Sequence, residues 1–398
     1  MDTREVVLDI LYRVFYEHGY ASLLMRECKL EHAKMAFVSE CVYGTIRNRS
    51  LLQNQWKDLA DKTRGKTEVL LNASVYELFF MNTPSYAVLN EANRLSSRRD
   101  RAFVNAVLRK VSERGFRKSD DLSIQYSMPS WLISLWKAHY GEETMLKILE
   151  SSISRGVVIG RMNPLLADWD TLSEKQHYTK IDDLCFTSDV PLVRTEDFMQ
   201  GRVLVQNPSS TRPVLCLDAR KGMDVLDVCA SPGTKTQLIA CCMKDTGRIV
   251  ACDLYESRVS LIDQLMKKTG VHICTAKVND GTKENAFEKE SFDRILCDVP
   301  CSGLGDLSHK PEIRWHIQPE NLDEIIKIQK QILFSSCQYL KKDGILVYST
   351  CTLNKKENET QISSFLKEHD DFELLKEETI FPDEYHDGFY VACMRKRV

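Results

Sequence analysis

The stretch Asp224-Val225-Leu226-Asp227-Val228-Cys229-Ala230-Ser231-Pro232-Gly233-Thr234-Lys235-Thr236 joins a short apolar strand to a helix through a turn of small residues. Beyond it, apolar runs alternate with helical stretches as far as residue 350. The predicted strands are residues 225–228, 248–253, 273–278, 294–298 and 345–348. This alternation predicts a parallel, doubly wound α/β sheet. Two later apolar runs, residues 372–375 and 389–393, predict an antiparallel pair at its edge.

The turn 229–236 lies where a ligand-binding loop is expected, because backbone N–H groups at a helix N-terminus can approach a bound molecule. It is not a Walker loop, since Thr234 separates Gly233 from Lys235, and it lacks the G-x-G-x-x-G pattern of a dinucleotide site. Asp253 ends the second strand, where an acid would bind ribose hydroxyls, and Asp280 follows the third strand, within reach of an adenine edge. An adenosine ligand without a pyrophosphate fits this order of residues, and S-adenosyl-L-methionine is such a ligand.

Two cysteines follow the ends of two later predicted strands. Cys301 stands in Asp298-Val299-Pro300-Cys301-Ser302-Gly303, and Cys351 stands in Ser349-Thr350-Cys351-Thr352. Ligands of open α/β sheets bind outside the carboxyl ends of the strands. Two thiols and the Asp298 carboxylate converging at this edge indicate thiolate chemistry rather than packing.

Six of the other cysteines lie in apolar segments and are expected to be buried there: Cys241, Cys242, Cys252, Cys274, Cys297 and Cys393. The chain shows no secretory signal, so we expect free thiols in a cytoplasmic protein. No Cys-x-x-Cys pair occurs, which argues against zinc, and we expect no metal. No apolar stretch approaches the roughly 20 residues that span a bilayer.

The N-terminal part predicts helices. Its apolar residues recur at helical spacing, and Asn82-Thr83-Pro84-Ser85 breaks one helix before the next. Residues 1–130 carry 20 Lys+Arg against 16 Asp+Glu, whereas the remainder carries 34 against 41. The densest basic run is Arg94, Arg98, Arg99, Arg101, Arg109, Lys110, Arg114, Arg117 and Lys118. This run is either a solvated helix face or a surface that contacts phosphates.

Three segments follow from these patterns. Residues 1–125 are predicted to form an all-α domain, residues 126–205 a linker helix and a small α+β segment, and residues 206–398 the α/β domain. Within the middle segment, residues 157–159 and 192–193 predict short strands, with a helix near Leu172.

The motifs around the two cysteines resemble those of the NOL1/NOP2/Sun family of RNA (cytosine-5)-methyltransferases. The stretches 227–233, 298–303 and 349–352 match, together with Asn279-Asp280, Lys310-Pro311-Glu312-Ile313-Arg314-Trp315 and Asp387-Gly388-Phe389-Tyr390. Nearer the N-terminus, Phe37-Val38-Ser39-Glu40-Cys41-Val42-Tyr43-Gly44 and Phe103-Val104-Asn105-Ala106-Val107-Leu108-Arg109 resemble a NusB-like RNA-binding domain. The chain departs from the family pattern at Thr234, where glycine is usual, and at 206–210.

The resemblance implies a Rossmann-like, S-adenosyl-L-methionine-dependent methyltransferase domain preceded by a small RRM-like segment. It implies that Cys351 adds to C6 of cytosine, that Asp298 holds the N3/N4 edge, and that Cys301 assists C5 deprotonation and product release. The nucleophile needs activation, for which Lys235 and Arg314 are candidate positive neighbours. The cofactor residues implied are Cys229, Ala230, Ser231, Pro232, Gly233, Thr234, Lys235, Asp253, Asp280 and Asp298. DNA cytosine methyltransferases use the Pro-Cys position as nucleophile, so exchanged roles of the two thiols are the alternative.

The combination of both domains resembles a bacterial subfamily that acts on 16S ribosomal RNA, as free or partly assembled rRNA. We therefore expect a monomer that binds this RNA and no membrane. One alternative is a cytosine elsewhere in ribosomal or transfer RNA. Another, from a different class, is a non-catalytic RNA-binding or ribosome-assembly factor that keeps a degenerate methyltransferase fold. The presence of both cysteines, the loop and the three acids favours the enzyme.

Overall fold

The computed structural model describes residues 2–28, 30–60 and 62–397, and the chain divides into two compact units. The first unit comprises Met1–Arg155 together with Leu307–Gln318. The second comprises Gly156–Asp306 together with Pro319–Val398. The units therefore do not divide at the predicted boundaries, residues 125 and 205. Among the described residues, none of the helices has the length and hydrophobicity needed to cross a membrane.

The first unit is helical, as the sequence predicts. Its α-helices are Thr3–Tyr16, Ala21–Glu27, His32–Arg47, Arg49–Asn54, Gly65–Phe80, Ser85–Leu95, Arg101–Arg114, Leu122–Gln125, Ser130–Tyr140, Glu142–Ile153 and Ile313–His316, with a 3-10 turn at Lys57–Leu59. The break predicted at residues 82–85 is confirmed, since one helix ends at Phe80 and Pro84 precedes the next.

The core of this unit forms from the apolar faces that the helical spacing predicts. The N-terminal helix is capped by Asp2, whose carboxylate accepts hydrogen bonds from the backbone N–H groups of Arg4 and Glu5. Trp56 is fully buried, and its indole N–H donates to Asn72 Oδ1 at 2.9 Å. The first helix contributes the buried residues Val6, Val7, Ile10, Leu11 and Val14.

The segment Leu307–Gln318 belongs to the first unit although the chain on both sides of it belongs to the second. Arg314 in this segment is fully buried. Its guanidinium donates to the carbonyl oxygens of Tyr126 at 3.2 Å, Ser127 at 3.4 Å and Ser152 at 2.7 Å. Burial lowers the pKa of Arg314 to about 9, so it is still protonated at neutral pH. One arginine thus ties together the chain before Ser130–Tyr140 and the end of Glu142–Ile153, which explains why these helices belong to the first unit.

Neighbouring residues of the same segment add further contacts. The indole N–H of Trp315 donates to Ile46 O at 2.9 Å. The backbone N–H of Ala21 donates to Glu312 Oε1 at 3.1 Å, and Glu312 is fully buried. The segment is therefore an integral part of the helical unit.

We predict that Arg314→Ala lowers the free energy of unfolding of the first unit by about 2–4 kcal/mol, because it removes four hydrogen bonds from a charged donor, the fourth of them to Pro311 O, and leaves carbonyls unpaired. The free energy of unfolding of Arg314→Lys should lie between those of the unaltered protein and Arg314→Ala, since one ammonium group cannot reproduce the planar guanidinium fork. Denaturant titration followed by tryptophan fluorescence reports this unit, which holds Trp56, Trp131, Trp136 and Trp315. The exposed Arg99→Ala is the control. Equal stability of both alanine variants would contradict the assignment.

The second unit begins with a small antiparallel sheet. Its strands are β1 (Ile159–Met162), β2 (Tyr178–Lys180), β3 (Cys185–Ser188) and β4 (Val203–Val205), in the order β2-β3-β1-β4. The helices Trp169–Ser173 and Glu196–Met199 accompany it, and the former confirms the helix predicted near Leu172. The predicted strand at 192–193 is wrong: Leu192–Arg194 is a 3-10 turn that starts after Pro191.

The large sheet follows with seven strands in the described chain. They are β5 (Asp224–Asp227), β6 (Arg248–Asp253), β7 (Cys274–Val278), β8 (Phe292–Asp298), β9 (Leu340–Thr350), β10 (Phe372–Ile380) and β11 (Phe389–Lys396). Their order is β10-β11-β9-β8-β5-β6-β7. The strands β5 to β9 pair in parallel, and β11 is antiparallel to both β9 and β10, which confirms the predicted α/β sheet and its antiparallel edge.

Both faces of this sheet are covered. Along β9, Leu346 and Tyr348 belong to the apolar cluster on one face, whereas Ile345 and Val347 belong to the cluster on the other. The α-helices of this half are Arg212–Leu217, Thr234–Cys242, Glu256–Lys268, Pro319–Cys337 and Glu359–Glu368, with a 3-10 turn at Pro208–Thr211. Burial on both faces is what makes the strands read as continuous apolar runs.

The strand order reverses beside β5. The chain runs from β5 through β6 to β7 in one direction, and β8 and β9 continue from the opposite side of β5. A crevice outside the carboxyl ends of the strands at such a reversal is where open α/β sheets bind ligands. Asp227 ends β5 and Asp298 ends β8 at this point.

Candidate active site

The two predicted thiols meet at the carboxyl ends of β8 and β9. Cys301 Sγ lies 3.4 Å from Cys351 Sγ. The hydrogen bond with Cys351, together with burial, raises the pKa of Cys301 well above its usual range. Either sulfur can donate in this contact, so the two thiols share one hydrogen bond.

A partly buried ion pair lies beside the thiols. Lys235 Nζ lies 2.7 Å from Asp298 Oδ2, and the hydroxyl of Ser349 donates to Asp298 Oδ1 at 2.7 Å. Burial by itself lowers the pKa of Lys235, but the charge of Asp298, followed by that of Cys351, outweighs burial and raises it. Lys235 is thus near enough to Cys351 for the two groups to interact electrostatically. Arg314 is the other predicted cation. Its guanidinium donates to carbonyl oxygens of the first unit, so the structure does not support a role for Arg314 in activating the nucleophile.

Close backbone packing holds the Cys351 segment in place. The N–H of Gly305 donates to Cys351 O at 3.1 Å, and the N–H of Gly388 donates to Gly305 O at 2.9 Å. A Cβ at Gly305 would collide with Gly388 O and would lie 2.9 Å from Cys351 O. Only glycine fits at Gly305, and the position of the Cys351 backbone depends on this contact.

The small-residue turn after β5 packs closely between β6 and the following helix. The N–H of Ala230 donates to Cys252 O at 2.7 Å, and the peptide between Ser231 and Pro232 is cis. Gly233 has a φ of 104°, and a Cβ there would lie 3.3–3.4 Å from the helix Glu256–Lys268. The helix Thr234–Cys242 starts directly after it, so its free N–H groups face the crevice.

Cys229 opens this turn. Burial raises the pKa of its thiol well above the usual value. A thiol held neutral in this way is a packing group rather than a nucleophile.

The sheet brings the predicted acids to the same edge. Asp253 is 5% exposed, and its Oδ2 accepts from the N–H of Ser231 at 3.2 Å while Oδ1 accepts from the N–H of Leu254 at 2.8 Å. Asp280 accepts from the N–H and the hydroxyl of Thr282 at 3.0 and 2.6 Å, and these bonds lower its pKa. Asp253 is fixed by these two N–H groups and by Arg258, whose Nε lies 3.1 Å from Oδ1, whereas Asp280 is fixed by Thr282 of its own loop.

Asp227 is a site residue that was not predicted from the sequence. It is fully buried, and its Oδ2 accepts from the hydroxyl of Thr236 at 2.7 Å. Its Oδ1 is buried without a hydrogen-bond partner among the described residues. Burial raises the pKa of Asp227 to about 7, a value to which the neighbouring Asp298 and Asp253 charges contribute. The sequence feature that could have identified Asp227 is an acidic residue at the end of an apolar strand.

These groups fit an adenosyl ligand with an amino-acid tail. The open Asp227 oxygen is an acceptor for a positively charged amine, and buried polar atoms of this kind are seldom left unpaired. Asp253 and Asp280 are carboxylates that can accept from ribose hydroxyls and an adenine amine. The loop and the helix start supply backbone donors, and no pyrophosphate-binding turn is present in residues 229–236.

The fold and the site together define a Rossmann-like methyltransferase domain with a helical NusB-like unit before it. The family described as 16S rRNA methyltransferase RsmB/F matches residues 214–395, and the NusB family matches residues 1–113. The chain is 31% identical to the probable ribosomal RNA small subunit methyltransferase B of Bacillus subtilis (strain 168), over 99% of this chain and 98% of that protein. It is 29% identical to ribosomal RNA small subunit methyltransferase B of Vibrio cholerae, over 100% and 98%.

The chain therefore belongs to the RsmB family of ribosomal RNA small subunit methyltransferases, which confirms the resemblance seen in its motifs. Solved structures share the fold. The crystal structure of PH0851 superposes with a TM-score of 0.83 at 23% identity, over 100% of this chain and 99% of that one. NSun6 from Pyrococcus horikoshii with SFG gives a TM-score of 0.60 at 18% identity, over 67% of this chain and 98% of that one.

We predict that Cys351→Ala shifts the alkylation profile of Cys301 to lower pH. The hydrogen bond to Cys351 is the largest cause of the raised Cys301 pKa, so its removal moves that pKa down, toward the roughly 8.5 of a free thiol. Iodoacetamide labelling of the Cys301 peptide, measured by mass spectrometry across pH, tests this. The buried Cys252, on β6, is the internal reference. An unchanged Cys301 profile would show that the two thiols do not share a proton.

Proposed function

We propose that this protein transfers the methyl group of S-adenosyl-L-methionine to C5 of a cytosine in 16S ribosomal RNA, through a covalent bond between Cys351 and C6. The observation that carries the proposal is the 3.4 Å contact between the Cys301 and Cys351 sulfurs beside the Lys235–Asp298 pair. Membership of the RsmB family supports the substrate class, since the relatives are ribosomal RNA small subunit methyltransferases.

The chemistry needs a nucleophile because cytosine C5 is unreactive toward a methyl donor. Addition of the Cys351 thiolate to C6 turns the ring into an enamine whose C5 is nucleophilic. Lys235 would stabilise a negative charge on the Cys351 sulfur, and Asp298, whose carboxylate contacts Lys235 and Ser349, would hold the N3/N4 edge of the base. S-adenosyl-L-methionine, when bound, supplies the methyl cation.

The second thiol acts after methyl transfer. After Cys301 has lost its own proton to solvent, its thiolate takes the C5 proton while the C6–Cys351 bond breaks, which restores the aromatic ring and the Cys351 thiolate. Once Cys351 is a thioether, it no longer shares a proton with Cys301, and the largest cause of the raised Cys301 pKa is gone. Cys301 therefore becomes easier to ionise at the stage where a base is required. The resemblance to the RNA family across all the motifs supports Cys351 rather than Cys301 as the nucleophile.

The cofactor is assigned to the crevice at the carboxyl ends of β5 to β8. The turn from Cys229 to Lys235 would lie against its methionine part, with Asp227 Oδ1 accepting from the ammonium group. Asp253 would bind the ribose hydroxyls and Asp280 the adenine edge, while Asp298 borders the transferred methyl group. The support is the open Asp227 oxygen and the fixed position of the other carboxylates.

The RNA-docking role of the first unit rests on the basic residues that form no ion pair within residues 2–28, 30–60 and 62–397. Arg94 pairs with Asp2 at 2.7 Å and Glu91 at 2.9 Å, and Arg114 and Arg117 both pair with Asp58. These three arginines are therefore paired within the unit. The exposed remainder of the run, available to phosphates, is Arg98, Arg99, Arg101, Arg109, Lys110 and Lys118. The cytoplasmic location and the monomeric state stay predictions.

We predict that the two cysteines behave differently with RNA. Cys351→Ala should abolish both methylation and any covalent adduct, whereas Cys301→Ala should form an adduct that resolves slowly and survives a denaturing gel. The double variant should trap no RNA. Gel analysis with radiolabelled 16S RNA fragments measures this, and S-adenosylhomocysteine calorimetry verifies that each variant keeps its cofactor site. The reverse pattern, with Cys351→Ala trapping RNA, would mean that the roles are exchanged.

We predict that replacing Arg98, Arg99 and Arg101 by glutamine weakens RNA binding and flattens its salt dependence. The slope should fall by up to about one unit for every phosphate that the protein no longer binds. Replacing the ion-paired Arg94, Arg114 and Arg117 instead should lower stability and leave the slope close to that of the unaltered protein. Fluorescence anisotropy with RNA over a salt series gives both slopes. Identical slopes for the two triple variants would rule out this surface as the docking site.

A further inference from the structure

A buried carboxylate lies behind both cysteine loops. Glu357 is fully buried in the connection between β9 and the helix Glu359–Glu368, six residues after Cys351. Its hydrogen-bond donors are neutral groups rather than cations: the backbone N–H and the hydroxyl of Ser302, the side-chain amide of Gln329 and that of Asn354. Neither the mechanism above nor the cofactor site uses this group.

One side of Glu357 fixes the Cys301 loop. Its Oε2 accepts from the Ser302 N–H at 2.9 Å, and its Oε1 accepts from the Ser302 hydroxyl at 2.6 Å. Gln329 Nε2 donates at 3.0 Å both to Glu357 Oε2 and to Pro300 O. The carboxylate therefore holds the residues on either side of Cys301.

The same carboxylate reaches the Cys351 loop through one hydroxyl. Ser302 Oγ lies 2.6 Å from Thr352 Oγ1, and Thr352 directly follows Cys351. Because a carboxylate only accepts, the Ser302 hydroxyl must donate to Glu357 and accept from Thr352. Thr352 Oγ1 in turn accepts from the N–H of Leu304 at 3.2 Å. The acceptor-only character of Glu357 thus sets the direction of every bond in this chain.

A side-chain amide in place of the Glu357 carboxylate would interrupt this series of hydrogen bonds. Glutamine has the size of glutamate, but it carries one acceptor and one donor. On the Oε2 side its NH₂ would face the Ser302 N–H, which cannot turn. On the Oε1 side it would face the Asn354 NH₂, whose amide is oriented by the Lys356 N–H bond to Asn354 Oδ1 at 3.2 Å. Either arrangement leaves two buried donors opposed.

We propose that Glu357 is a positioning residue that holds the Cys301 and Cys351 loops together, so that the two sulfurs stay in contact. The proposal rests on the function assigned above, but it concerns a geometry that exists without RNA or cofactor. The charge of Glu357 also contributes to the raised pKa of Cys301, which agrees with its place behind that loop.

The test uses Glu357→Gln in the full chain, with Glu368→Gln as the matched control. Glu368 lies in the helix that follows and forms an exposed pair with Lys330. Phenylarsine oxide reports the geometry directly, because it exchanges its oxygen, released as water, for two As–S bonds to neighbouring thiols. Protection of the Cys301 and Cys351 peptides from alkylation, measured by mass spectrometry, gives its affinity for this pair alone.

We expect Glu357→Gln to bind the arsenical about tenfold more weakly and, in a Cys301→Ala background, to form the RNA adduct about tenfold more slowly. The KM for RNA and the affinity for S-adenosylhomocysteine should match those of Glu368→Gln. Arsenical affinity and adduct rate equal to those of the control would overturn the proposal.

A second variant keeps the test decisive if Glu357→Gln does not fold. Ser302→Ala removes only the hydroxyl that links Glu357 to Thr352, and it should weaken arsenical binding in the same direction. Unchanged arsenical binding in Ser302→Ala would show that the hydrogen bonds from Glu357 through Ser302 to Thr352 do not position the two loops. If no protein forms an RNA adduct while the arsenical affinities differ as expected, the positioning role stands and the covalent mechanism fails.

Discussion

The parallel pairing of β8 with β9 is the constraint on which the site depends. Asp298, the last residue of β8, is in register with Ser349 near the end of β9. Each strand is followed within three residues by a cysteine, so the pairing of the strand ends brings Cys301 and Cys351 to 3.4 Å. The same register places the Ser349 hydroxyl on Asp298. Thiol contact and carboxylate orientation are thus two results of one pairing.

Around this pair, the chain supplies opposite kinds of charge environment. Lys235 is a cation within the field of Cys351, and Glu357 is an anion behind Cys301. The charge of Glu357 contributes to the raised pKa of Cys301. Two chemically identical side chains therefore lie in different electrostatic environments. Glycine at Gly305 allows the backbone contacts that keep Cys351 in this position.

Much of the fold and part of the site could be predicted from the sequence. The strands of the large sheet are continuous apolar runs because both faces are buried, and this pattern located β6 without error. The short strands β2, β3 and β4 were missed, since three or four partly exposed residues carry no clear period. Arg314 was predicted as a positive neighbour of the nucleophile, but it packs inside the helical unit. Asp227 was missed although an acid at the end of an apolar strand is a usable signal, and Glu357 was missed because burial of a carboxylate in a loop is a tertiary property that no local pattern records.

The central claim is that Cys351 carries a methyl transfer to a cytosine of 16S ribosomal RNA. Bisulfite sequencing of ribosomal RNA from a strain that lacks this protein tests it most directly. We expect that one cytosine of 16S RNA loses its methylation, and that the unaltered gene restores it while a Cys351→Ala gene does not. An unchanged methylation profile in the deletion strain, or restoration by the Cys351→Ala protein, would contradict this claim.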